Sequence, residues 1–187
     1  MAISATRNPR FLRESGRWLV DKGFMVPLES LDCDTLKFIR EALFPHYYLW
    51  RVVNKEDSLL TPVRLVVDPT MSELNLTLAK GENRIGSLVN IILRSQVNPN
   101  AWSSVVTNLY NQLHLERAAR PYSLFLYSDD PDLSCDSTPY VMTGAWCGVV
   151  PTGNQAGYAL ELLVQSTAEE FPDAVEPLTR HQYVDCR

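Results

Sequence analysis

Four segments of the chain space their apolar residues three or four positions apart, which is the interval that gives an α-helix one apolar face. The first begins with Pro9, carries Phe11 and Leu19 on one face, and ends before Gly23, so both of its ends match the usual helix signals. The predicted helices cover residues 9–22, residues from Ser30 or Asp32 to Pro45, residues 83–96 and residues 153–165.

Segments rich in β-branched and aromatic residues predict strands. Residues 46–53 and 62–68 are two such runs separated by the polar sequence NKEDS, so we predict a β-hairpin. Further strands are predicted at residues 101–106, 122–128, 140–150 and 181–185. Because strands and helices alternate without the regular spacing of βαβ units, the expected fold class is α+β with a mostly antiparallel sheet.

The length and composition are typical of one globular domain. The chain has 187 residues, of which 45% are hydrophobic and 21% are charged, and this excludes a disordered or low-complexity chain. No run approaches the roughly 18 uncharged apolar residues of a membrane span, and the N-terminus lacks the apolar stretch of a signal peptide. We therefore expect a soluble, intracellular protein without a membrane partner.

The cysteines do not specify a metal module or a disulfide framework. Four cysteines and three histidines are widely spaced, with no CxxC pair among them. The pattern favours free thiols. The cysteines are Cys33, Cys135, Cys147 and Cys186.

The net charge of −5 conceals a gradient along the chain. Residues 1–22 carry five basic and two acidic side chains, a net +3, whereas residues 125–187 carry two basic and ten acidic side chains, a net −8. A polyanion would be attracted to the start of the chain and repelled by its end. Ordinary solvated surface charge explains the same gradient equally well.

The sequence SDDPDLSCD places four aspartates close together, and these could hold a hard cation through oxygen ligands. It lacks the glycine and the distal glutamate of an EF-hand loop, and the pattern favours a solvated hairpin tip. The four residues are Asp129, Asp130, Asp132 and Asp136.

The sequence VVPTGNQAGYAL joins a predicted strand to a predicted helix through Pro151, Gly153 and Asn154. Backbone amides at such a helix start can approach a phosphate or a nucleobase. No Gly-Lys-Ser/Thr follows, so this is not a P-loop. From spacing alone, a simple turn and helix cap is the favoured interpretation.

Seven segments form an ordered series along the chain. They are HYYLWRVVNKEDSLLTPVRLVVDPTMSELN, LAKGENRIGSLVNIILR, AWSSVVTNLYNQLHL, PYSLFLY, YVMTGAWCGVVPTGNQAGYAL, FPDAVEPLTR and YVD. Together they span roughly residues 20–186, and they resemble the reverse transcriptase of BEL/Pao-type LTR retrotransposons. The resemblance implies a right-hand polymerase unit, with fingers in about residues 1–97 and palm in about residues 98–187, ending at the YVD turn.

The resemblance also implies chemistry that this chain has largely lost. The family copies RNA or DNA with two Mg²⁺ ions held by palm aspartates from the strand AWSSD and the turn YVDD. This chain has AWSSV, with Val105 at the first acid position, and YVDC, with Asp185 and Cys186 at the other two. Valine offers no ligand and a thiol is a poor one for Mg²⁺, so Asp185 is the one catalytic acid and metal ligand left. We expect a catalytically inactive relative that binds its ancestral Mg²⁺ weakly or not at all, with Val105 close to Asp185 on neighbouring strands.

Four residues match the family's nucleotide-binding positions. Arg64 corresponds to the fingers arginine that neutralises the incoming triphosphate. Tyr110 corresponds to the aromatic residue that stacks under the sugar and discriminates against a 2′-hydroxyl. Gly153 and Gln155 lie in PTGNQAG, the loop and helix start that line the nucleotide and template.

The resemblance implies template-primer nucleic acid and a deoxynucleoside triphosphate as the family's partners. The chain ends two residues after Asp185, so we expect a fragment without thumb, RNase H or integrase. The first alternative to a polymerase fragment is a module that holds nucleic acid or nucleotide weakly, without chemistry. The second is an interaction module that pairs the open edge of its palm sheet with another protein.

Overall fold

Two antiparallel β-structures organise the computed structural model, which describes residues 9–54, 63–84, 87–97, 104–128 and 137–180. The helices are α1 (Pro9–Asp21), α2 (Cys33–Arg40), α3 (Leu74–Thr77), α4 (Leu88–Ser95), α5 (Thr152–Ser166) and α6 (Pro172–Arg180). The strands are β1 (Met25–Pro27), β2 (Trp50–Asn54), β3 (Val63–Val67), β4 (Leu124–Tyr127) and β5 (Thr138–Met142). Short 3₁₀ helices cover Leu28–Ser30, Tyr110–Gln112 and Arg117–Tyr122.

The larger sheet has the strand order β1-β5-β4, and both of its pairings are antiparallel. Leu124 on β4 lies opposite Val141 on β5. The second structure is the β2-β3 hairpin, in which Trp50 lies opposite Val67. These pairings confirm the expected α+β class, its antiparallel strands and the predicted hairpin.

The main core lies between α1, the hairpin and the larger sheet. The ring centroid of Trp50 is 4.4 Å from that of Phe125 and 5.8 Å from that of Trp146, so aromatic packing joins the hairpin to the sheet. Burying a large apolar side chain contributes about 1.5–3 kcal/mol. The buried residues of this core are Leu12, Leu19, Met25, Tyr48, Trp50, Val52, Val67, Leu74, Phe125, Tyr127 and Met142.

Helix α1 lies close against β4 because Gly16 has no side chain. A Cβ atom at this position would overlap the ring of Tyr127. The Tyr127 hydroxyl donates a hydrogen bond of 2.9 Å to the carbonyl oxygen of Arg13. The helix ends at Asp21, followed by Gly23 at φ +72°, which confirms the predicted helix and its glycine stop.

Helix α2 begins as predicted and ends early. The Asp32 carboxylate accepts a hydrogen bond of 2.8 Å from the backbone N–H of Thr35, and this bond lowers the pKa of Asp32. Ile39 packs against the larger sheet. The predicted extension to Pro45 is wrong, since the helix ends at Arg40. Pro45 disfavours helical backbone at Phe44 alone, so it does not account for the end at Arg40.

The predicted helix over residues 83–96 starts later, at Leu88. The Ser87 hydroxyl accepts a hydrogen bond of 3.5 Å from the backbone N–H of Asn90 and marks the true start. Residues 83–84 precede this helix and residues 85–86 lie outside the described part of the chain. The helix predicted at residues 153–165 is confirmed as α5.

Several predicted strands are shorter than expected or missing within the described residues. Residues 46–49 precede β2, and β5 ends at Met142 although the prediction continued to residue 150. Residues 104–106 form no strand, and Val105 is 91% exposed. A β-branched run needs a partner to form a strand, and residues 104–106 pair with none of the described strands. Residues 101–103, the loop at 129–136 and the strand predicted at 181–185 lie outside the described residues.

Helix α5, with 15 residues, is the longest of the described helices. None of the helices within the described ranges has both the length and the apolar character that crossing a bilayer requires.

Candidate nucleotide site

The loop that precedes α5 is the segment predicted to line a nucleotide. The backbone N–H of Thr152 donates to the carbonyl of Val149 at 3.1 Å, and that of Gln155 donates to Pro151 at 2.9 Å. Thr152 is buried, as are the next two residues of the helix, whereas Gln155 is exposed. The first turn of α5 is therefore packed, and Gln155 is its accessible position.

Asn75, in α3, fixes this loop in place. Its side-chain amide donates a hydrogen bond of 2.9 Å to the carbonyl of Gly148 and accepts one of 2.9 Å from the backbone N–H of Val150. Gly148 has φ +104°, and a Cβ atom there would lie 3.3 Å from the carbonyl oxygen of Val67. One side chain thus satisfies two backbone groups of the loop and holds it against the end of β3.

Residues 78–84 form a strap that crosses the first turns of α5. The Asn154 amide donates a hydrogen bond of 2.9 Å to the carbonyl of Lys80, and its oxygen lies 3.4 Å from the backbone N–H of Arg84. A Cβ atom on Gly157 would lie 2.8 Å from the carbonyl oxygen of Arg84. The position of the strap therefore depends on the absence of a side chain at Gly157 as well as on the hydrogen bonds of Asn154.

The side chain of Arg84 ties the strap to the outer face of α5. Its guanidinium donates a hydrogen bond of 2.7 Å to Glu161 and another of 2.7 Å to Glu82. The same group lies 5.0 Å from the ring centroid of Tyr158. The hydrogen bond to Glu161, with a smaller contribution from the charge of Glu82, raises the pKa of Arg84. Sequence reasoning did not identify this cluster, because its partners are far apart in the chain.

A cavity of about 110 Å³ lies beside the helix start, with Gln155, Thr152 and Trp146 in its lining. Tyr48 also lines it, and burial raises the pKa of that phenol. Ligand pockets usually measure about 300–1,000 Å³. This cavity has room for water-sized molecules and is too small to enclose a nucleotide.

Arg64 lies at an exposed position on β3, opposite Val53 of β2. Strand side chains alternate between the two faces, and the next residue, Leu65, packs against the main core. Arg64 therefore projects from the outer face of the hairpin, where a polyanion could approach it.

Tyr110 begins the 3₁₀ helix Tyr110–Gln112 and is half-buried. The next residue, Asn111, lies so close to Gly144 that a Cβ atom there would overlap the Asn111 carbonyl. The backbone N–H of Ala145 donates to the carbonyl of Leu113 at 2.8 Å. These contacts hold the Tyr110 turn beside the chain that leads into the loop before α5.

Residues near the predicted nucleotide contacts, but not those contacts themselves, line one open cleft of about 400 Å³. Leu65 follows Arg64, Asn111 follows Tyr110, and Trp146 precedes the loop that carries Gly153 and Gln155. The opposite wall comes from α1, and we call this space the α1 cleft. Its α1 residues are Phe11, Glu14, Ser15, Trp18 and Leu19.

Of the predicted catalytic positions, Val105 is the one that lies within the described residues. Val105 lies in an exposed segment without regular structure. Asp185 and Cys186 lie outside the described residues, so the expected proximity of Val105 to Asp185 stays a prediction. Across residues 9–54, 63–84, 87–97, 104–128 and 137–180, no group of three or more His, Cys, Asp or Glu side chains is arranged to hold a metal ion.

A scan against models of protein families finds no family that matches the chain. A search of curated proteins finds no match either.

Proposed function

We propose that the chain is a fingers-palm unit related to BEL/Pao reverse transcriptases, and that it holds a nucleotide or a nucleic-acid strand without polymerising it. The seven ordered sequence segments support this proposal. The structural observation that carries it is the exposed position of Arg64 on β3, because the outer face of the hairpin leaves a phosphate access to this side chain.

The residues at the family's metal positions do not fit Mg²⁺. This ion requires near-octahedral oxygen coordination, whereas Val105 carries a hydrocarbon side chain and Cys186 a thiol. Asp185 alone cannot supply the bridging carboxylates that two ions need. Our proposal for this chain therefore ends at binding and includes no metal-dependent step.

Binding of phosphate is assigned to Arg64. A guanidinium forms paired, charge-assisted hydrogen bonds with phosphate oxygens, and Arg64 is on the exposed face of the hairpin. The chain as a whole carries a net charge of −5, which repels a polyanion. We therefore expect weak binding that depends strongly on salt.

The test is fluorescence anisotropy with a labelled single strand and a labelled primer-template, at several salt concentrations. We expect the Arg64→Ala variant to bind more weakly and to reduce the slope of log affinity against log salt by about one, the effect of losing one phosphate contact. Arg51→Ala is the matched control, since Arg51 is an exposed arginine on the adjacent strand that pairs with Asp68 at 3.4 Å. Affinity that ignores both ionic strength and Arg64 would contradict the proposal.

Interaction with another protein is a second candidate function, and the surface of α4 favours it. This helix buries none of its residues, and Val89 and Leu93 are 64% and 57% exposed. Contiguous exposed apolar surface often marks an interaction site. The palm edge predicted to pair with another chain lies near Asp185, outside the described residues. Binding through α4 would persist at high salt and fail in a Val89→Asp variant, which separates it from phosphate binding.

A further inference from the structure

The α1 cleft has one wall made by a single helix face. Its five α1 residues lie at positions i, i+3, i+4, i+7 and i+8, and the helix is seated on β4 by the contact between Gly16 and Tyr127. Trp18 stays 40% exposed although it is a large aromatic residue. The ring of Phe24 supports it, with the centroids 5.7 Å apart. The helix thus presents an aromatic surface to the open cleft.

The opposite wall is a fixed aromatic side chain. Trp146 packs against Trp50 with ring centroids 5.8 Å apart, and against Phe125 at 6.2 Å. Because both partners are buried in the core, the orientation of the Trp146 ring is set before any ligand arrives. Preorganisation of this kind lowers the entropic cost of binding.

Polar groups are few and lie beside these aromatic residues. Ser15 and Asn111 are the uncharged polar residues of the lining, and their side chains can donate and accept hydrogen bonds. Glu14 also lines the cleft, and its carboxylate accepts a hydrogen bond of 2.8 Å from Arg10. An aromatic lining with a few polar groups suits a flat heteroaromatic ligand. The exposed Arg10–Glu14 pair carries no net charge, so it favours neither a cation nor an anion at the cleft.

The charge of α1 favours a polyanion over a protein partner. Helix α1 carries three basic and two acidic side chains, a net +1, and Lys22 follows it, in a chain whose total is −5. A strand that places one base in the cleft would bring its phosphates near this basic segment.

We propose that the α1 cleft binds an unpaired base of a single nucleic-acid strand, stacked against Trp18 and Trp146, with Asn111 and Ser15 at its polar edge. This rests on the proposed nucleic-acid binding and adds a base-binding position separate from Arg64. Stacking on an aromatic side chain tolerates any base, because every base has a π face. The cleft therefore favours a base over an abasic sugar, with little preference among base types.

The experiment compares a short oligothymidylate with a strand of equal length in which abasic sites replace the bases. We expect the oligothymidylate to bind about tenfold more tightly and to quench tryptophan emission. Trp18→Ala should remove this advantage. Phe38→Ala is the matched control, because Phe38 is 42% exposed on α2, away from the cleft, and it should keep the advantage. A Ser15→Leu variant fills the cleft without removing an aromatic wall, and it should act like Trp18→Ala even if the latter unfolds.

Equal binding of both strands overturns the cleft proposal, and leaves the proposed function standing if Arg64→Ala weakens both strands alike. Failure of both strands to bind overturns both proposals. Binding of N-acetylphenylalaninamide or tetramethylammonium in a calorimetric titration, without a preference for the base-containing strand, assigns the cleft to a protein side chain or an organic cation and overturns the base assignment.

Discussion

At the scale of single residues, two asparagines position the candidate site. The hydrogen bonds of Asn75 and Asn154 join parts of the chain 73 to 75 positions apart. A primary amide suits this task because it donates and accepts at the same time. The loop before α5 and the strap over that helix are therefore held by side chains rather than by strand pairing.

Replacing Asn75 by alanine should lower the free energy of unfolding by about 1–3 kcal/mol, because two loop groups lose their partner. Asn75→Asp should also destabilise the protein, since a carboxylate still accepts from Val150 but repels the carbonyl of Gly148. Urea unfolding measures both changes. Asn90→Ala is the control, because Asn90 is an exposed asparagine on α4, and its effect should stay within about 0.5 kcal/mol. Equal midpoints for Asn75→Ala and Asn90→Ala would contradict the assigned role.

His46 makes the stability depend on pH in a definite direction. Its Nε2 atom lies 2.8 Å from the Ser72 hydroxyl, and its ring lies edge-on to Tyr48. Burial lowers the pKa of His46 below its ordinary value of 6.5. As the pH falls, His46 is protonated in the unfolded chain before it is protonated in the folded protein. The stability that neutral His46 contributes is therefore fully present above pH 6.5 and is lost as the pH falls through the folded-state pKa.

Urea unfolding of the wild type and of His46→Gln, from about pH 8 to about pH 5, measures this effect. The stability difference between the two proteins should shrink as the solution becomes acidic. A difference that is constant across this range would show that His46 does not contribute to the pH dependence.

At the scale of elements, α1 depends on one glycine. Alanine favours a helix over glycine by about 1 kcal/mol, yet Gly16→Ala should destabilise the protein by about 1–3 kcal/mol because its methyl group meets the Tyr127 ring. Thermal unfolding measures the change. In a Tyr127→Ala background, Gly16→Ala should change the free energy of unfolding little or increase it. An equal destabilisation in both backgrounds would contradict this explanation.

Elements with local end signals could be predicted from the sequence, and elements that depend on distant partners could not. Pro9 and Gly23 bracket α1, and the polar turn NKEDS separates the strands of the hairpin. The strand predicted at residues 101–106 is wrong over its described part, residues 104–106, because strand pairing depends on partners distant in the chain. Helix α6 is absent from the predicted elements. It begins with Pro172, a usual helix start, but the internal Pro177 is a residue that normally argues against a helix.

Part of the candidate site could likewise be predicted from local sequence motifs, and part could not. Arg64, Tyr110, Gly153 and Gln155 come from sequence motifs, which are local. The strap residue Arg84 and the tie at Asn75 carry no local signal, because their partners are on other elements. Glu14 and Ser15 of the α1 cleft interrupt a face of α1 that periodicity alone assigns to the core.

At the scale of the whole molecule, the basic groups favour phosphate binding, whereas the residues at the proposed metal positions do not favour catalysis. The basic segment and Arg64 can attract phosphate, whereas the three positions that the resemblance to BEL/Pao reverse transcriptases assigns to metal ligands hold one carboxylate, Asp185, beside Val105 and Cys186. A protein with this combination keeps binding longer than catalysis, because each phosphate contact acts nearly alone while two-metal chemistry needs its ligands together.

Substitution can place carboxylates at positions 105 and 186, which tests the metal-ligand role proposed for these positions. The unaltered chain should show no primer extension with Mg²⁺ or Mn²⁺, and the Val105→Asp/Cys186→Asp double variant should bind Mn²⁺ more tightly in a calorimetric titration, because it restores a set of oxygen ligands. Val105 is 91% exposed, so the new carboxylate is not forced into the core. Val106→Asp combined with Cys186→Asp is the matched control, since it adds the same charge one position away and should bind no better than the unaltered chain. Templated synthesis by the unaltered protein would overturn the assignment of Val105 and Cys186 to the lost acid positions.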